Sequence, residues 1–272
     1  MQDVVAEKSS QVAVLMAATS SMLQRYQPFI NLWRCYALSH GMAFILETDP
    51  GKAPAANWMR WFAAERFLYF YEALLIVDPD QVIVAPCWHL SIAELLGTWT
   101  EDGRPPPDVG LRDFGRPQTL NNGVALLRNS PRGWQFLRLL LQKAPWLHTT
   151  EHDQGPFDET ILEMLKLEAV SNESYDSECV QYLFPNFNGN HDLARYAMCW
   201  WRQSEVLAGP FGQRDSQVIR FLDPRRYDVN HVVGARGLSD PALLYHFAGR
   251  SKEWDTMLET FGLDREGTSD CR

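Results

Sequence analysis

The sequence predicts an α/β fold, a buried sheet flanked by helices, and three observations carry that prediction. Gln11 to Ser20 (QVAVLMAATS) is an apolar run that ends in small and hydroxylic residues. A helical stretch and a second short strand, Ala43 to Glu47, follow it at once. Ala73 to Val77 (ALLIV) is the most continuous β-type run in the chain, and it ends in carboxylates. Strands apolar on both faces belong to sheets covered on both sides, and strand, helix, strand at this spacing is the rhythm of a parallel crossover. With 272 residues, 46% of them apolar and 12% aromatic, residues 1–272 suffice for one large domain, with 1–10 read as flexible.

Each element has its local cause. The first helix is predicted from about Tyr26 to His40, where Gly41 stops it. The next, Ala56 to Tyr71, carries Trp58, Trp61, Phe62, Phe67, Leu68 and Phe70, so apolar surface nearly surrounds it and burial is expected. After ALLIV the chain breaks at Asp78-Pro79-Asp80 and resumes as a second apolar stretch, Val82 to Ala85. The Pro- and Gly-rich segment from Glu101 to Pro117 reads as a loop or lid. Gly123 to Arg128 (GVALLR) is strand-like, and Ser130-Pro131 supplies an N-cap and first-turn proline for a helix to about Ala144. Asp153 to Ala169 is amphipathic. The last third is less regular, with candidate strands at Val180 to Phe184, Val218 to Leu222 and Leu243 to Phe247.

Charge narrows the range of partners. The formal net charge is −9 and the pI near 5.3, with no Lys/Arg cluster longer than the run around Arg225 and Arg226, so the phosphate footprint of a nucleic-acid binder is absent. An acidic protein that binds a diphosphate does so locally, through a metal ion and a few cations. The apolar run from Val12 to Ala18 is far short of a membrane span, which needs about 18 residues or more. Cys35, Cys87, Cys179, Cys199 and Cys271 lack the spacing of a zinc or redox motif; an odd count leaves at least one thiol, and one disulfide stays open.

Two constellations carry chemistry. Asp78-Pro79-Asp80 is the only Asp-x-Asp in the chain, it follows the most apolar strand, and the kink at Pro79 lets both carboxylates approach one hard cation. A solvated turn is the competing reading. Near the other end, Tyr245 to Trp254 (YHFAGRSKEW) places His246, Gly249 and Lys252 at regular intervals. An imidazole is a third ligand for an ion such as Mn²⁺, a glycine amide faces a phosphate oxygen, and an ammonium neutralises a leaving diphosphate. Asn121-Asn122 before Gly123 offers amides for sugar hydroxyls, against the alternative of a tight turn. Asp153-Gln154 stands at a helix start, where an N-cap is the plainer role.

These residues carry a resemblance. HFAGRSKEW is similar to the H-x-x-G-x-x-K-P-W ending of the glycogenin and lipopolysaccharide galactosyltransferase group, departing at Glu253. Asn31 to Leu46, the Trp58 to Val84 region with its Asp-Pro-Asp, and the Asn121-Asn122-Gly123 strand entrance resemble the galactosyl/xylosyl/mannosyltransferase group of yeast mannan and plant xyloglucan enzymes. Both groups are retaining glycosyltransferases of the GT-A fold, a Rossmann-like mixed sheet flanked by helices. The resemblance implies Mn²⁺ (or Mg²⁺) on Asp78, Asp80 and His246, with Gly249 and Lys252 at the diphosphate and Thr19 and Ser20 near the nucleotide. It also implies donor contacts from Arg60, Asn121 and Asn122, and places Asp153 and Gln154 beside the reacting sugar as the catalytic pair. The expected partners are a nucleotide-sugar donor, UDP favoured, and a glycan or other hydroxyl acceptor. A binding protein without turnover and a metal-dependent nucleotide-sugar hydrolase are the rivals.

Overall fold

A computed structural model of the chain describes residues 11–83, 89–98, 104–113, 120–146, 153–169, 179–184, 192–211, 213–214, 216–224, 231–232 and 242–246. Strand β1 (Val12–Ala17) leads through helix α1 (Ser20–Ser39) to β2 (Ala43–Glu47). A short 3-10 turn and α2 (Met59–Phe67) follow, then β3 (Ala73–Val77), β4 (Gln81–Ile83) and α3 (Ile92–Gly97). The chain continues through β5 (Val109–Arg112), β6 (Val124–Arg128), α4 (Pro131–Gln142), α5 (Gln154–Ala169) and α6 (Leu193–Ala208) to β7 (Ile219–Leu222), β8 (His231–Val232) and β9 (Leu244–His246).

Six strands form one sheet in the order β2-β1-β3-β6-β5-β7. It is mixed: β2, β1 and β3 run parallel, β6 runs against both of its neighbours, and β5 and β7 are again parallel. Period-two alternation divides the side chains between two cores. Leu15, Leu74, Ile76, Ala125 and Leu127 join Trp61, Phe136, Phe157 and Trp200 of α2, α4, α5 and α6 on one face. Val14, Met16, Leu75, Val77, Val124 and Leu126 meet Phe29, Trp33, Tyr36 and Leu96 of α1 and α3 on the other. All five residues of β3 are buried, as a central strand covered on both sides requires.

A second, three-stranded sheet, β4-β9-β8, starts where the first ends. β4 opens directly after Asp80 and pairs antiparallel with β9, setting Gln81 opposite His246. The indole Nε1 of Trp33 in α1 donates to the Gln81 carbonyl at 3.1 Å and ties the small sheet to the large one.

Several sequence expectations change. Helix α1 starts at Ser20, not Tyr26, because Thr19 caps it: its hydroxyl accepts from the Met22 amide, so Pro28 lies inside the helix. The segment read as a loop from Glu101 to Pro117 contains β5, which is hydrogen-bonded on both sides. Gly110 misled that reading. A Cβ there would lie 2.3 Å from the Leu96 carbonyl oxygen, so the glycine marks a close helix–strand approach rather than a turn. Val180–Tyr182 is a 3-10 turn, not a strand, and it is joined to α6 by a Cys179–Cys199 disulfide. The sequence reading missed α6 altogether. Among the described residues no helix is long and apolar enough to cross a membrane.

Candidate metal centre and donor site

The candidate site forms at the C-terminal edge of β1 and β3, where an open α/β sheet places ligands. Past Val77, a turn closed by the Gln81 amide on the Asp78 carbonyl (3.3 Å) aims Asp78 and Asp80 the same way. The β4–β9 pairing then carries His246 onto them. Its Nε2 lies 3.2 Å from Asp80 Oδ1 and 3.8 Å from Asp78 Oδ2. One ligand atom from each of the three residues falls within 4.8 Å of the others. Two carboxylates and an imidazole suit Mn²⁺, Mg²⁺ or a similar hard-to-borderline cation. Asp78 keeps 24% of its side chain exposed while Asp80 is 7% exposed, so the pocket for a cation is enclosed on one side and open on the other.

Glycine 123 makes room for this geometry. A Cβ there would lie 2.6 Å from His246 Cε1 and 2.5 Å from Gln81 Nε2, so only a residue without a side chain lets the imidazole lie over the β6 entrance. Asn121 Oδ1 receives the Gly123 amide at 2.9 Å and lies 3.0 Å from His246 Nδ1.

Beside the cluster, Arg60 of α2 is enclosed. Its Nη1 donates to Asp78 Oδ1, and its Nη2 donates to Asn122 Oδ1 at 2.7 Å and to Asp153 Oδ2 at 2.6 Å. Burial lowers the guanidinium pKa, but the Asp78 and Asp153 carboxylates outweigh it and the net shift is upward, so the charge is permanent. For Asp78 burial raises the pKa, Arg60 and His246 pull it down, and the repulsion of Asp80 and Asp153 adds to burial; the net direction is up. Three carboxylates and one guanidinium leave two negative charges when His246 is neutral, the complement of a divalent ion.

Asp153 is the hub of the network. Its Oδ1 accepts from Asn57 Nδ2 at 2.9 Å, and its Oδ2 accepts from Arg60, from Trp61 Nε1 at 2.9 Å and from Asn122 Nδ2 at 3.0 Å. The sequence reading missed Asn57 and Trp61. Asn57 precedes Arg60 by three positions and Trp61 by four, the spacings at which side chains on a helical turn meet, and that spacing is the only local signal of the group. Gln154 accepts from the Asn122 amide at 2.8 Å and donates to Asp158 at 2.9 Å.

The structure therefore brings together Asp78, Asp80, His246, Arg60, Asn121, Asn122, Asp153 and Gln154. Thr19 and Ser20 lie at the N-terminus of α1 on the same sheet edge, with Thr19 engaged as the helix cap and Ser20 exposed. Gly249 and Lys252 lie outside the described residues.

No protein-family model and no curated protein matches the chain. Solved structures do. A glycosyltransferase involved in glycosylation of the major capsid of PBCV-1 aligns with a TM-score of 0.53 at 17% identity, over 92% of this chain and 100% of that one. The glycosyltransferase GlyE of Streptococcus pneumoniae TIGR4 aligns at 0.44 and 13% identity, and this chain spans 62% of its length. The galactosyltransferase LgtC, in complex with donor and acceptor sugar analogs, aligns at 0.39 and 11% identity, over 92% and 95% of the two chains. The first likeness gives the fold: this chain shares that of the viral glycosyltransferase, a mixed sheet flanked by helices.

Proposed function

We propose that this chain is a metal-dependent glycosyltransferase that binds a nucleotide-sugar donor through a cation on Asp78, Asp80 and His246. One observation carries the reading. In a fold shared with a glycosyltransferase, Asp78, Asp80 and His246 converge at the sheet edge where α/β proteins bind ligands, with ligand atoms within 4.8 Å of one another.

When bound, a divalent ion at this site would act as a Lewis acid on the donor diphosphate and stabilise the charge that grows as the glycosidic bond breaks. The chain's own residues do the rest. Arg60, fixed by three acceptors, holds Asp78 Oδ1 and leaves Oδ2 facing the site. Asp153, with four donors on its carboxylate and almost no exposed surface, is a positioning residue for Arg60 and Asn122. Gln154 is only half-buried and stands next to it, so of the pair it is the one that faces the sugar. Thr19 and Ser20 border the nucleotide, and the exposed N-terminus of the α1 helix adds a favourable field for phosphate. By the resemblance of their motif, Gly249 and Lys252 would complete the diphosphate contacts. UDP as the nucleotide, Mn²⁺ as the ion and retention of configuration follow from the family resemblance of the motifs.

The test is a donor panel. Purified protein is incubated with Mn²⁺, UDP-sugars or GDP-sugars and a set of glycan acceptors, and product and free nucleotide are measured. Glycan product is the expected outcome, and Asp78→Asn or Asp80→Asn abolishes it along with Mn²⁺-dependent donor binding, since each loses an anionic ligand at constant volume. Free nucleotide with no glycan product on any acceptor would favour a hydrolase, and donor binding alone a non-catalytic role.

A further inference from the structure

Asn121 does something its sequence position does not reveal. The Gly123 backbone N–H, which can only donate, points at one end of the Asn121 amide at 2.9 Å, so that end is the oxygen. The same oxygen lies 3.0 Å from His246 Nδ1. Two acceptors do not bond, so Nδ1 carries a proton. A neutral ring with its proton on Nδ1 has its lone pair on Nε2, the nitrogen that faces Asp80 Oδ1 at 3.2 Å and Asp78 Oδ2 at 3.8 Å. The ring is held in this orientation by contact as well: a Cβ on Gly123 would stand 2.7 Å from Nδ1, so backbone packs against that edge.

We propose that Asn121 is a positioning residue of the metal centre, holding neutral His246 as the Nδ1–H tautomer so that Nε2 is presented to the cation. This places Asn121 behind the imidazole rather than on a sugar hydroxyl, and it rests on the reading of Asp78, Asp80 and His246 as metal ligands. The physical reason is general: the hydrogen bond made by one ring nitrogen decides which nitrogen is left to bind metal. Without an acceptor at Nδ1 the proton is free to sit on Nε2, where it blocks the cation. Gly123 makes the arrangement self-consistent, because its amide fixes the Asn121 oxygen and its missing side chain leaves room for the ring.

Long-range proton–nitrogen NMR on protein saturated with diamagnetic Mg²⁺, which takes the place of a proton between Nε2 and the Asp80 and Asp78 carboxylates, reads the ring protonation directly, with His246→Gln used to assign the signal. Wild type is expected to show Nδ1–H. Mn²⁺ affinity is measured alongside by isothermal titration. Asn121→Asp keeps an oxygen for both partners and should retain the tautomer and bind Mn²⁺ within about threefold of wild type. Asn121→Leu should weaken Mn²⁺ by about 10–100-fold, the usual effect of removing such a partner. An Nε2–H signal in the wild-type protein overturns the proposal without reference to any variant, and so does Asn121→Leu with unchanged Mn²⁺ affinity. Wild type that binds neither Mg²⁺ nor Mn²⁺ overturns the metal reading instead.

Discussion

Asp78 lies between two cations, the Arg60 guanidinium on one oxygen and the proposed metal on the other, and its raised pKa follows from burial and from the carboxylates of Asp80 and Asp153. The direction has two consequences. A folded-state carboxyl that holds its proton above the ordinary range binds more protons folded than unfolded, so its contribution to stability falls as pH rises through that window. A metal must displace that proton, so Mn²⁺ affinity should rise with pH through the same window and then level off. Titration calorimetry in buffers of differing ionisation enthalpy should show proton release on Mn²⁺ binding below the plateau; affinity independent of pH across the acidic range would sink the assignment. The grouping of Asp78, Asp80 and His246 was legible in the sequence because motifs name them, whereas Arg60 was singled out only through the family resemblance. Asn57 and Trp61 were not legible, since their role exists only where the 3-10 turn and α2 meet the start of α5. Nor was the part played by Gly123, which depends on a ring contributed by a residue 123 positions later.

At the scale of elements, the strands and helices whose apolar pattern is set by the two cores were readable, and those defined by a distant partner were not. β5 hid behind prolines and Gly110, and its strand character comes from β6 and β7 on its two sides. α6 hid because the Asn- and Gly-rich sequence before it gave no clean start signal, yet it buries Tyr196, Trp200 and Trp201 and seats the Trp200 indole on the Asp158 carbonyl at 2.9 Å. The Cys179–Cys199 bridge fastens the short 3-10 turn to α6, and Leu183 beyond that turn packs against Gly155, two residues past Asp153. A bridge across a separation of 20 residues restricts the unfolded chain by about 3 kcal/mol. Cys199→Ser is therefore expected to lower the unfolding free energy by roughly that amount in a denaturant titration. A loss under about 0.5 kcal/mol, the scatter of ordinary surface substitutions, would mean that packing alone holds the turn in place.

For the whole molecule, the net charge of −9 makes anion binding unfavourable at long range, so on the function proposed above a diphosphate would be captured locally, by the cation and the α1 N-terminus. Ligands that bind only the folded state then stabilise it by mass action, about 2.7 kcal/mol at a hundredfold excess over Kd. Thermal melts should show little shift with UDP alone, a small one with Mn²⁺ alone, and a larger one with both together, because each completes the other's coordination. Equal shifts for UDP with and without Mn²⁺ would point to a metal-free nucleotide site.

The sequence by itself determined the alternation of buried strands with helices, the pair of carboxylates after the most apolar strand, and the histidine of the last strand. These are local: apolar periodicity and short-range motifs are written in consecutive residues. Tertiary structure alone decided that the sheet is mixed, that β4 and β9 pair so that His246 arrives at Asp80, and that Asp153 collects four donors from two distant segments. It decided too that Asn121 faces an imidazole. Such contacts depend on register between strands far apart in the chain, and register is set by the packing of both cores at once rather than by any segment's own pattern.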